Sequence, residues 1–334
     1  MVAATAKRLI FTCGICLGVP VKVALCHQGS TADTSALVCM KDVACGSVDV
    51  VYVNGAMMKT TLAFTVFGMI LATAISTTAF AASKTNRIDV RYVPPKNPAH
   101  QEIYTEYKQR RSLEKLQKFL SPVRLPETLR ISLEECDGEA DAFYEDAEIT
   151  ICYEYIYELI KNMPQEKTPS GFARIDTVIG PLFEVSLHEF GHALFDMLEL
   201  PVFGREEDAA DQLAAYILLQ FGESEARRLI AGTAYAYNID EKKADPCRSM
   251  EDYANEHGTP AQRFFNILCI AYGADTKLFA DIVSGGYLPE ARAEYCEEEY
   301  EQVQDAFDEL VLPHIDLDLA DEIQGISWLR EPEQ

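Results

Sequence analysis

The sequence predicts an α+β fold in which a small mixed sheet packs on one apolar helix and the C-terminal half is mainly helical. Short runs rich in β-branched and aromatic residues precede residue 153, separated by turn-forming residues, which is typical of strands. Longer stretches with helical periodicity dominate after residue 172. One of these, around residues 185–198, is apolar on almost every side, which indicates a buried helix.

The first half is expected to supply the sheet. Strands are predicted at 86–94, 129–133, 141–144 and 148–152, and the last two are interpreted as two separate strands or as a hairpin. A charged amphipathic helix is predicted over 100–120, and another is predicted to begin at Tyr153.

The second half is expected to be helical around the apolar segment. Gly180-Pro181 is predicted to break the chain, with Pro181 in the first turn of the apolar helix. Later helices are predicted at 206–221, at 223–231, from Pro260 onward and at 288–312, with an irregular segment at 233–251.

The apolar helix carries His188-Glu189-Phe190-Gly191-His192. Residues four apart share one helix face, so His188 and His192 can each bring a ring nitrogen to one zinc ion. Glu189 flanks that pair without joining it, which is the position of a general base toward water. Gly191 costs about 1 kcal/mol against Ala in a helix interior, which predicts the close approach of another backbone. Asp196 shares the face of His192 and is expected to act in helix packing or as an acceptor beside the site.

A second segment is expected to complete the metal site. A catalytic zinc takes three protein ligands and keeps one position open, and Glu207 is the predicted third ligand. Asp211 follows four residues later and faces the same way on a helix. It is expected to accept the free ring N–H of a ligating histidine.

The pattern His188-Glu189-x-x-His192 with Glu207-x-x-x-Asp211 resembles the gluzincins, the thermolysin-like zinc peptidases. The resemblance implies a zincin-like fold and a Zn²⁺ cofactor. The run HEFGHALFDMLELPVFGREEDAADQLAAY is more closely similar to a bacterial family of metallopeptidases of unknown function, over roughly residues 87–312. Only 14 residues separate His192 from Glu207, fewer than in thermolysin, which leaves Glu206 and Asp208 as alternative ligands.

Two further roles follow from the resemblance. Thermolysin-like enzymes place a downstream histidine against the oxyanion, and His257 is the candidate for this catalytic role, with Tyr253 and Arg263 as alternatives. Zincins also bind substrate backbone along a strand beside the active-site helix. Ala142-Phe143-Tyr144 is the candidate strand, and an ordinary core strand is the other interpretation.

The N-terminal region indicates export. Residues 1–57 carry five of the ten cysteines and few charges, and are interpreted as a leader outside the natural protein. Residues 58–81 combine Lys59, an apolar run and Ala79-Phe80-Ala81, which is typical of a signal peptide. An uncleaved membrane anchor is the alternative. A single zincin-like domain is then expected over 82–334, secreted or periplasmic and without stable membrane insertion.

Five cysteines remain after residue 81, and an exported chain can keep disulfides. Cys136 and Cys152 flank the predicted hairpin and are expected to pair. Cys269 and Cys296 form the second expected pair, which leaves Cys247 free.

The expected function is zinc-dependent hydrolysis of peptide bonds in peptide or protein substrates. The net charge of −24 argues against a nucleic acid partner. The alternative is a non-catalytic, zinc-stabilised binding or regulatory module of the cell envelope. Glu189 argues against this alternative, because a structural zinc needs no base and usually takes four protein ligands.

Overall fold

A four-stranded mixed sheet forms the first part of the described chain, as predicted. The structure is a computed structural model that describes residues 87–166, 172–250, 252–324 and 326. The strands are β1 (Ile88–Tyr92), β2 (Leu129–Glu134), β3 (Ala142–Glu145) and β4 (Glu148–Cys152). Their order is β1-β2-β4-β3, with β1, β2 and β4 parallel and β3 antiparallel to β4. Strand β3 therefore lies at one edge of the sheet.

The β3–β4 hairpin is the predicted one. Its two turn residues, Asp146 and Ala147, have φ angles of 49° and 60°, as a two-residue type I′ turn requires. The register pairs Tyr144 with Ile149 and Ala142 with Ile151. Because Ile149 and Ile151 are buried, the hairpin is anchored to the core through β4.

Two helices, rather than one, occupy the segment after β1. Helix α1 (Gln101–Gln109) and helix α2 (Ser112–Leu120) are separated at Arg111, so the prediction of one helix over 100–120 is wrong. Arg111 has a φ of 55°, a left-handed conformation that an α-helix cannot contain. The break lets both Ile103 and Leu113 reach the core.

The apolar helix begins earlier than predicted. After helix α3 (Tyr153–Lys161), helix α4 runs without interruption over Asp176–Met197 and includes Pro181. The predicted break at Gly180-Pro181 is therefore wrong. A Cβ atom on Gly180 would lie 2.5 Å from the carbonyl oxygen of Leu229, so this glycine permits a close helix crossing rather than a break.

The partner in this crossing is a helix that continues well past its predicted end. Helix α5 covers Glu206–Leu218, and helix α6 covers Glu223–Lys243, so the predictions of an end at residue 231 and an irregular segment from 233 are wrong. A Cβ atom on Gly232 would lie 1.9 Å from the carbonyl oxygen of Asp176. Packing of α6 on α4 therefore outweighs the roughly 1 kcal/mol that a glycine costs inside a helix.

The C-terminal part is a group of helices that packs on α5 and α6. Thr259 and Gln262 form a reciprocal capping box at the start of the helix that Pro260 opens. The helices are α7 (Pro260–Ala274), α8 (Ala280–Ser284), α9 (Glu290–Ala293), α10 (Cys296–Leu310) and α11 (Leu317–Gln324). The single helix predicted over 288–312 is thus divided into α9 and α10. The backbone of Gly273 packs against the carbonyl of Cys296 at this division.

Both predicted disulfides are present. Cys136–Cys152 joins the loop before β3 to the end of β4, and Cys269–Cys296 joins α7 to α10. Cys247 is also disulfide-bonded, so the prediction of a free thiol is wrong.

The predicted leader and signal peptide, residues 1–57 and 58–81, lie outside the described residues. Within the described part of the chain, no helix combines the length and the apolar character that crossing a bilayer requires.

Candidate metal centre

Two helices, α4 and α5, bring three candidate metal ligands together. Gly191 of α4 faces Ala210 of α5, and a Cβ atom on this glycine would lie 3.3 Å from the Cα atom of Ala210. The predicted close approach of another backbone at Gly191 is thereby confirmed. Because the helices cross closely here, the first turn of α5 reaches the face of α4 that carries His188 and His192.

The candidate donor atoms form a compact triangle. The Nε2 atoms of His188 and His192 lie 3.2 Å apart. The Oε2 atom of Glu207 lies 3.0 Å from Nε2 of His188 and 3.4 Å from Nε2 of His192. Tetrahedral coordination with bonds of about 2.0–2.1 Å separates donor atoms by roughly 3.3 Å. The two imidazoles and the carboxylate therefore fit a zinc ion in both chemistry and spacing.

The neighbouring carboxylates that were considered as ligands point elsewhere. Glu206 Oε1 lies 2.8 Å from Nδ1 of His192, the ring nitrogen opposite to the donor triangle. Asp208 accepts from the Arg205 guanidinium, with Nε and Nη2 each 2.9 Å from a carboxylate oxygen. Among the three acidic residues that open α5, Glu207 is thus the one that faces both Nε2 atoms.

Asp211 fixes the ring of His188. Its Oδ1 lies 2.8 Å from Nδ1 of His188, which leaves Nε2 toward the donor triangle, as expected of a carboxylate that orients a metal-binding histidine. Hydrogen bonds and charge from His188 and Arg263 outweigh the effect of burial and lower the pKa of Asp211 to about 2. Burial acts against protonation of His188, but the bonds to Asp211 and Glu207 raise its pKa to about 10.

A second group of potential metal ligands lies behind His188, next to the buried guanidinium of Arg263. The ligand atoms of Glu184, His188 and Asp211 lie close enough together to hold a metal ion. However, the Arg263 guanidinium donates to both oxygens of Asp211 and lies 3.6 Å from Glu184. Since this cation already pairs with Asp211 and lies beside Glu184, the first group is the better candidate metal site.

Glu184 and Tyr237 complete this buried layer and were not identified from the sequence. The Tyr237 hydroxyl donates to Glu184 at 2.7 Å, and the Arg263 guanidinium lies over the Tyr237 ring at 4.7 Å. Glu184 precedes His188 by four residues, a spacing that was available as a signal. Tyr237 lies in the part of α6 that was predicted to be irregular, so its position on a helix face was hidden.

Glu189 is a buried carboxylate that has no hydrogen-bond or ion-pair partner among the described residues. Its side chain faces the cleft, the residue is 6% exposed, and it forms no hydrogen bond or ion pair with any described residue. Burial raises the pKa of Glu189 to about 8, and the charge of Glu207 adds to the rise. A cation bound at the donor triangle would lower this pKa again, because nearby positive charge favours the carboxylate.

His257 lies beside the donor triangle. Tyr253 and Arg263, the two alternative candidates for its role, do not occupy this position. Its Nε2 lies 2.7 Å from Oε2 of Glu207, and its ring stacks on His188 with centroids 5.7 Å apart. Burial, followed by the charge of Arg263, lowers the pKa of His257. Arg263 is bonded to Asp211, and Tyr253 is more than half exposed and does not line the cleft.

A cleft with a volume of about 860 Å³ surrounds these groups. The edge strand β3 lines it through Ala142, Phe143 and Tyr144. The Tyr144 hydroxyl donates to Asp196 of α4 at 2.7 Å, so Asp196 ties the edge strand to the helix that carries the histidines. The cleft is large enough for several residues of a peptide, since pockets for drug-sized ligands measure about 300–1,000 Å³.

The comparisons with known proteins give a family but no close relative. No curated protein and no solved structure matches the chain. Residues 92–311 match the family described as "Putative metallopeptidase". This match covers most of the chain. It includes the donor triangle, Glu189, His257 and strand β3. The chain belongs to this metallopeptidase family.

Proposed function

We propose that this chain is a zinc-dependent peptidase with a zincin-like arrangement of its sheet and its metal-binding helix. Its main support is the arrangement of four side chains. A donor triangle of His188, His192 and Glu207 lies beside Glu189, a buried carboxylate that faces the cleft and has no partner within the described part of the chain. Membership of a metallopeptidase family supports the same conclusion.

Zinc at this triangle would supply a Lewis acid that lowers the pKa of a coordinated water and polarises a carbonyl group. His188 is held for this purpose by Asp211 through Nδ1, and His192 is held by Glu206 through Nδ1. Because both rings are fixed on their far side, their Nε2 atoms stay directed at the triangle.

Glu189 is the proposed general base. It accepts a proton from the attacking water, whose oxygen bonds to the carbonyl carbon of the scissile peptide. It then passes the proton to the leaving nitrogen as the C–N bond breaks. Its place in the cleft favours this role, because a buried carboxylate with no hydrogen-bond partner among the described residues can accept a hydrogen bond from a water. We assign to His257 the donation of a hydrogen bond to the carbonyl oxygen, and its position 2.7 Å from Oε2 of Glu207 supports this role.

Strand β3 is the proposed binding edge for the substrate backbone. It pairs with β4 on one side only, and its residues Ala142 to Tyr144 line the cleft. An extended peptide can add to this edge through main-chain hydrogen bonds, which bring one peptide bond to Glu189. We further propose that the chain is exported by the signal peptide at residues 58–81 and that residues 82–334 form the mature domain.

The decisive experiment measures zinc content and peptide cleavage together. The chain from Ala82 onward, loaded with zinc, is incubated with a peptide library, with Glu189→Gln as the control. We expect about one zinc per chain in both the parent and Glu189→Gln, and peptide cleavage only by the parent. Equal cleavage in both proteins would refute it. Zinc binding without any cleavage would favour the alternative, a non-catalytic zinc-stabilised binding or regulatory module of the cell envelope.

A further inference from the structure

Strand β3 presents the main chain of two residues to the free edge of the sheet. Asp141 and Cys152 form a hydrogen-bonded pair at its start, since the Cys152 N–H donates to the Asp141 carbonyl oxygen at 3.1 Å. In an antiparallel ladder, hydrogen-bonded and non-hydrogen-bonded pairs alternate. Ala142 and Tyr144 therefore occupy non-hydrogen-bonded positions in the register with β4, and their N–H and C=O groups point away from that strand.

This edge is open to an added peptide at Tyr144. Among the described strands, β3 pairs with β4 alone. The outward N–H of Ala142 is already bonded, because Oδ1 of Asp141 accepts it at 2.9 Å. The outward groups that remain for main-chain pairing are the C=O of Ala142 and both the N–H and the C=O of Tyr144. Tyr144 is therefore the residue to which an extended peptide would bind through two main-chain groups.

The side chain of Tyr144 connects this edge to the helix that carries the histidines. Side chains two residues apart share one face of a strand, and the neighbouring Ala142 is buried. The Tyr144 hydroxyl donates to Oδ2 of Asp196 at 2.7 Å. Asp196 follows His192 by four residues, so both lie on one face of α4. The residue that offers its main chain to a peptide is thus linked, within one helical turn, to a candidate metal ligand.

Asp196 occupies a position where a carboxylate does not favour the helix. It lies in the last turn of α4, which ends at Met197 and has no basic residue in that turn. The C-terminal end of a helix carries partial negative charge, so a second negative charge there is unfavourable. Within the described part of the chain, the Tyr144 hydroxyl is the one hydrogen-bond partner of this carboxylate. A residue that conflicts with its local structure is typical of a functional position.

The same hydrogen bond distinguishes a positioning role of Tyr144 from a catalytic one. A tyrosine that lines a peptidase cleft could donate to the substrate itself. However, a hydroxyl has one hydrogen to donate, and the Tyr144 hydroxyl donates to Asp196. The bond therefore favours a role for Tyr144 in holding the strand rather than in proton donation.

We propose that Tyr144 and Asp196 form a positioning pair, which holds the free edge of β3 where one extended peptide can reach both this edge and the donor triangle. This inference rests on the proposed function, since it assumes that zinc occupies the triangle and that a peptide occupies the cleft. It names the substrate class as extended segments that are long enough to pair with Tyr144. Ligands that reach only the metal should not depend on the pair.

The test uses ligands that bind to the zinc-loaded chain without being cleaved. Acetohydroxamate contacts the metal alone, through its two oxygens. Two alanine pentapeptides carry the same hydroxamate group, one at the C-terminal end and one at the N-terminal end, so that both directions along β3 are covered. At least one pentapeptide is expected to bind about tenfold more tightly than acetohydroxamate in calorimetric titrations, because its main chain adds to the strand.

Variants of the pair should remove this gain in affinity. Tyr144→Phe and Asp196→Ala each delete the hydrogen bond, so each should lose most of the roughly tenfold gain while acetohydroxamate binds as it does to the parent. The double variant should lose no more than either single variant, because the effects of two residues that act together are not additive. Asp196→Asn keeps an acceptor oxygen and should retain most of the gain.

Tyr92→Phe is the matched control. The Tyr92 hydroxyl donates to Glu114 at 2.8 Å, so this variant also deletes a bond from tyrosine to a carboxylate, but between β1 and α2. It should lower the thermal stability of the protein and keep the full gain in affinity. An equal loss of the gain in Tyr92→Phe and Tyr144→Phe would show that overall stability is the cause, which would overturn the proposal.

Two other results would also overturn it. A loss in Tyr144→Phe without a loss in Asp196→Ala would mean that the hydroxyl contacts the peptide directly. Pentapeptides that bind no more tightly than acetohydroxamate would show that β3 is not the binding edge, whereas cleavage of peptides by the parent would leave the peptidase mechanism intact. A gain that depends on both residues supports the pair even if the parent cleaves nothing.

Discussion

Arg263 donates to both carboxylate oxygens of Asp211, with Nε 2.8 Å from Oδ2 and Nη2 2.5 Å from Oδ1. Asp211 in turn is bonded to Nδ1 of His188 at 2.8 Å. Arg263 is therefore linked to the candidate metal centre through Asp211 and His188, and we assign it a positioning role. It also connects α7 to α5 and α4, which makes the C-terminal helices part of the support of the site.

The first prediction concerns this arginine. Arg263→Gln should lower zinc affinity about 10–100-fold, the usual scale for losing a group that orients a ligand. It should also destabilise the protein, because Asp211 would remain buried without its cation. Zinc affinity is measured by competition with a chelator, and stability is measured by thermal unfolding of the metal-free protein.

Arg228 offers a matched control for the same prediction. It is a largely buried arginine that pairs with Asp176 at 2.8 Å, on the opposite end of α4 from the histidines. Arg228→Gln should destabilise the fold while leaving zinc affinity unchanged. If both arginine variants weaken zinc binding equally, Arg263 acts only through overall stability, and its positioning role is disproved.

The second prediction concerns the crossing of α4 and α6. Gly232→Ala would bring a Cβ atom to 1.9 Å from the carbonyl oxygen of Asp176, so one helix must shift. The free energy of unfolding should fall by about 1–3 kcal/mol, as for other overpacked cores. Denaturant titration provides the measurement. Gly222→Ala is the control, because nothing lies within 4 Å of the added atom. Similar stabilities of the two variants would refute the close crossing.

The local part of the site was predictable from the sequence because helical periodicity determines it. His188 and His192 share one face of α4, and Glu207 and Asp211 share one face of α5, each at a spacing of four residues. The same argument could not choose among the acidic residues that open α5. That choice depends on the rotation of α5 relative to α4, which tertiary packing sets at Gly191 and Ala210.

The buried layer behind the site was less accessible to sequence reasoning. Arg263 lies 52 residues from Asp211 along the chain, and Tyr237 lies 53 residues from Glu184. No local spacing relates residues so far apart. Gly180 was also misleading in isolation, because a glycine that permits close packing and a glycine that ends a helix look alike in sequence.

The third prediction concerns export. Lys59, the apolar run and Ala79-Phe80-Ala81 predict a cleaved signal peptide. When expressed from Met58, the protein should accumulate outside the cytoplasm with a new N-terminus near Ala82, as determined by N-terminal sequencing. Ala79→Arg should block cleavage, because the cleavage site requires small residues. Finding residues 1–57 on the native protein would contradict the interpretation of the leader.

The last prediction separates the proposed base from the proposed ligand. Glu189→Gln keeps the shape of the side chain but removes the base, so zinc should remain bound while hydrolysis falls by about 10²-fold or more. Glu207→Ala removes a donor atom from the triangle, so zinc affinity should drop strongly. The thermal stability of the zinc-loaded protein should drop with it, because metal binding is linked to folding.

Asp208→Ala is the control for Glu207→Ala, because Asp208 opens the same helix but pairs with Arg205 rather than with the histidines. It should keep its zinc and its activity. Zinc content, peptide cleavage and thermal stability are measured for all three variants side by side. If Asp208→Ala loses its zinc and Glu207→Ala keeps it, Asp208 is the third ligand instead of Glu207, and the proposed mechanism still holds. If Glu189→Gln hydrolyses peptides as fast as the parent, Glu189 is not the general base and the peptidase proposal is wrong.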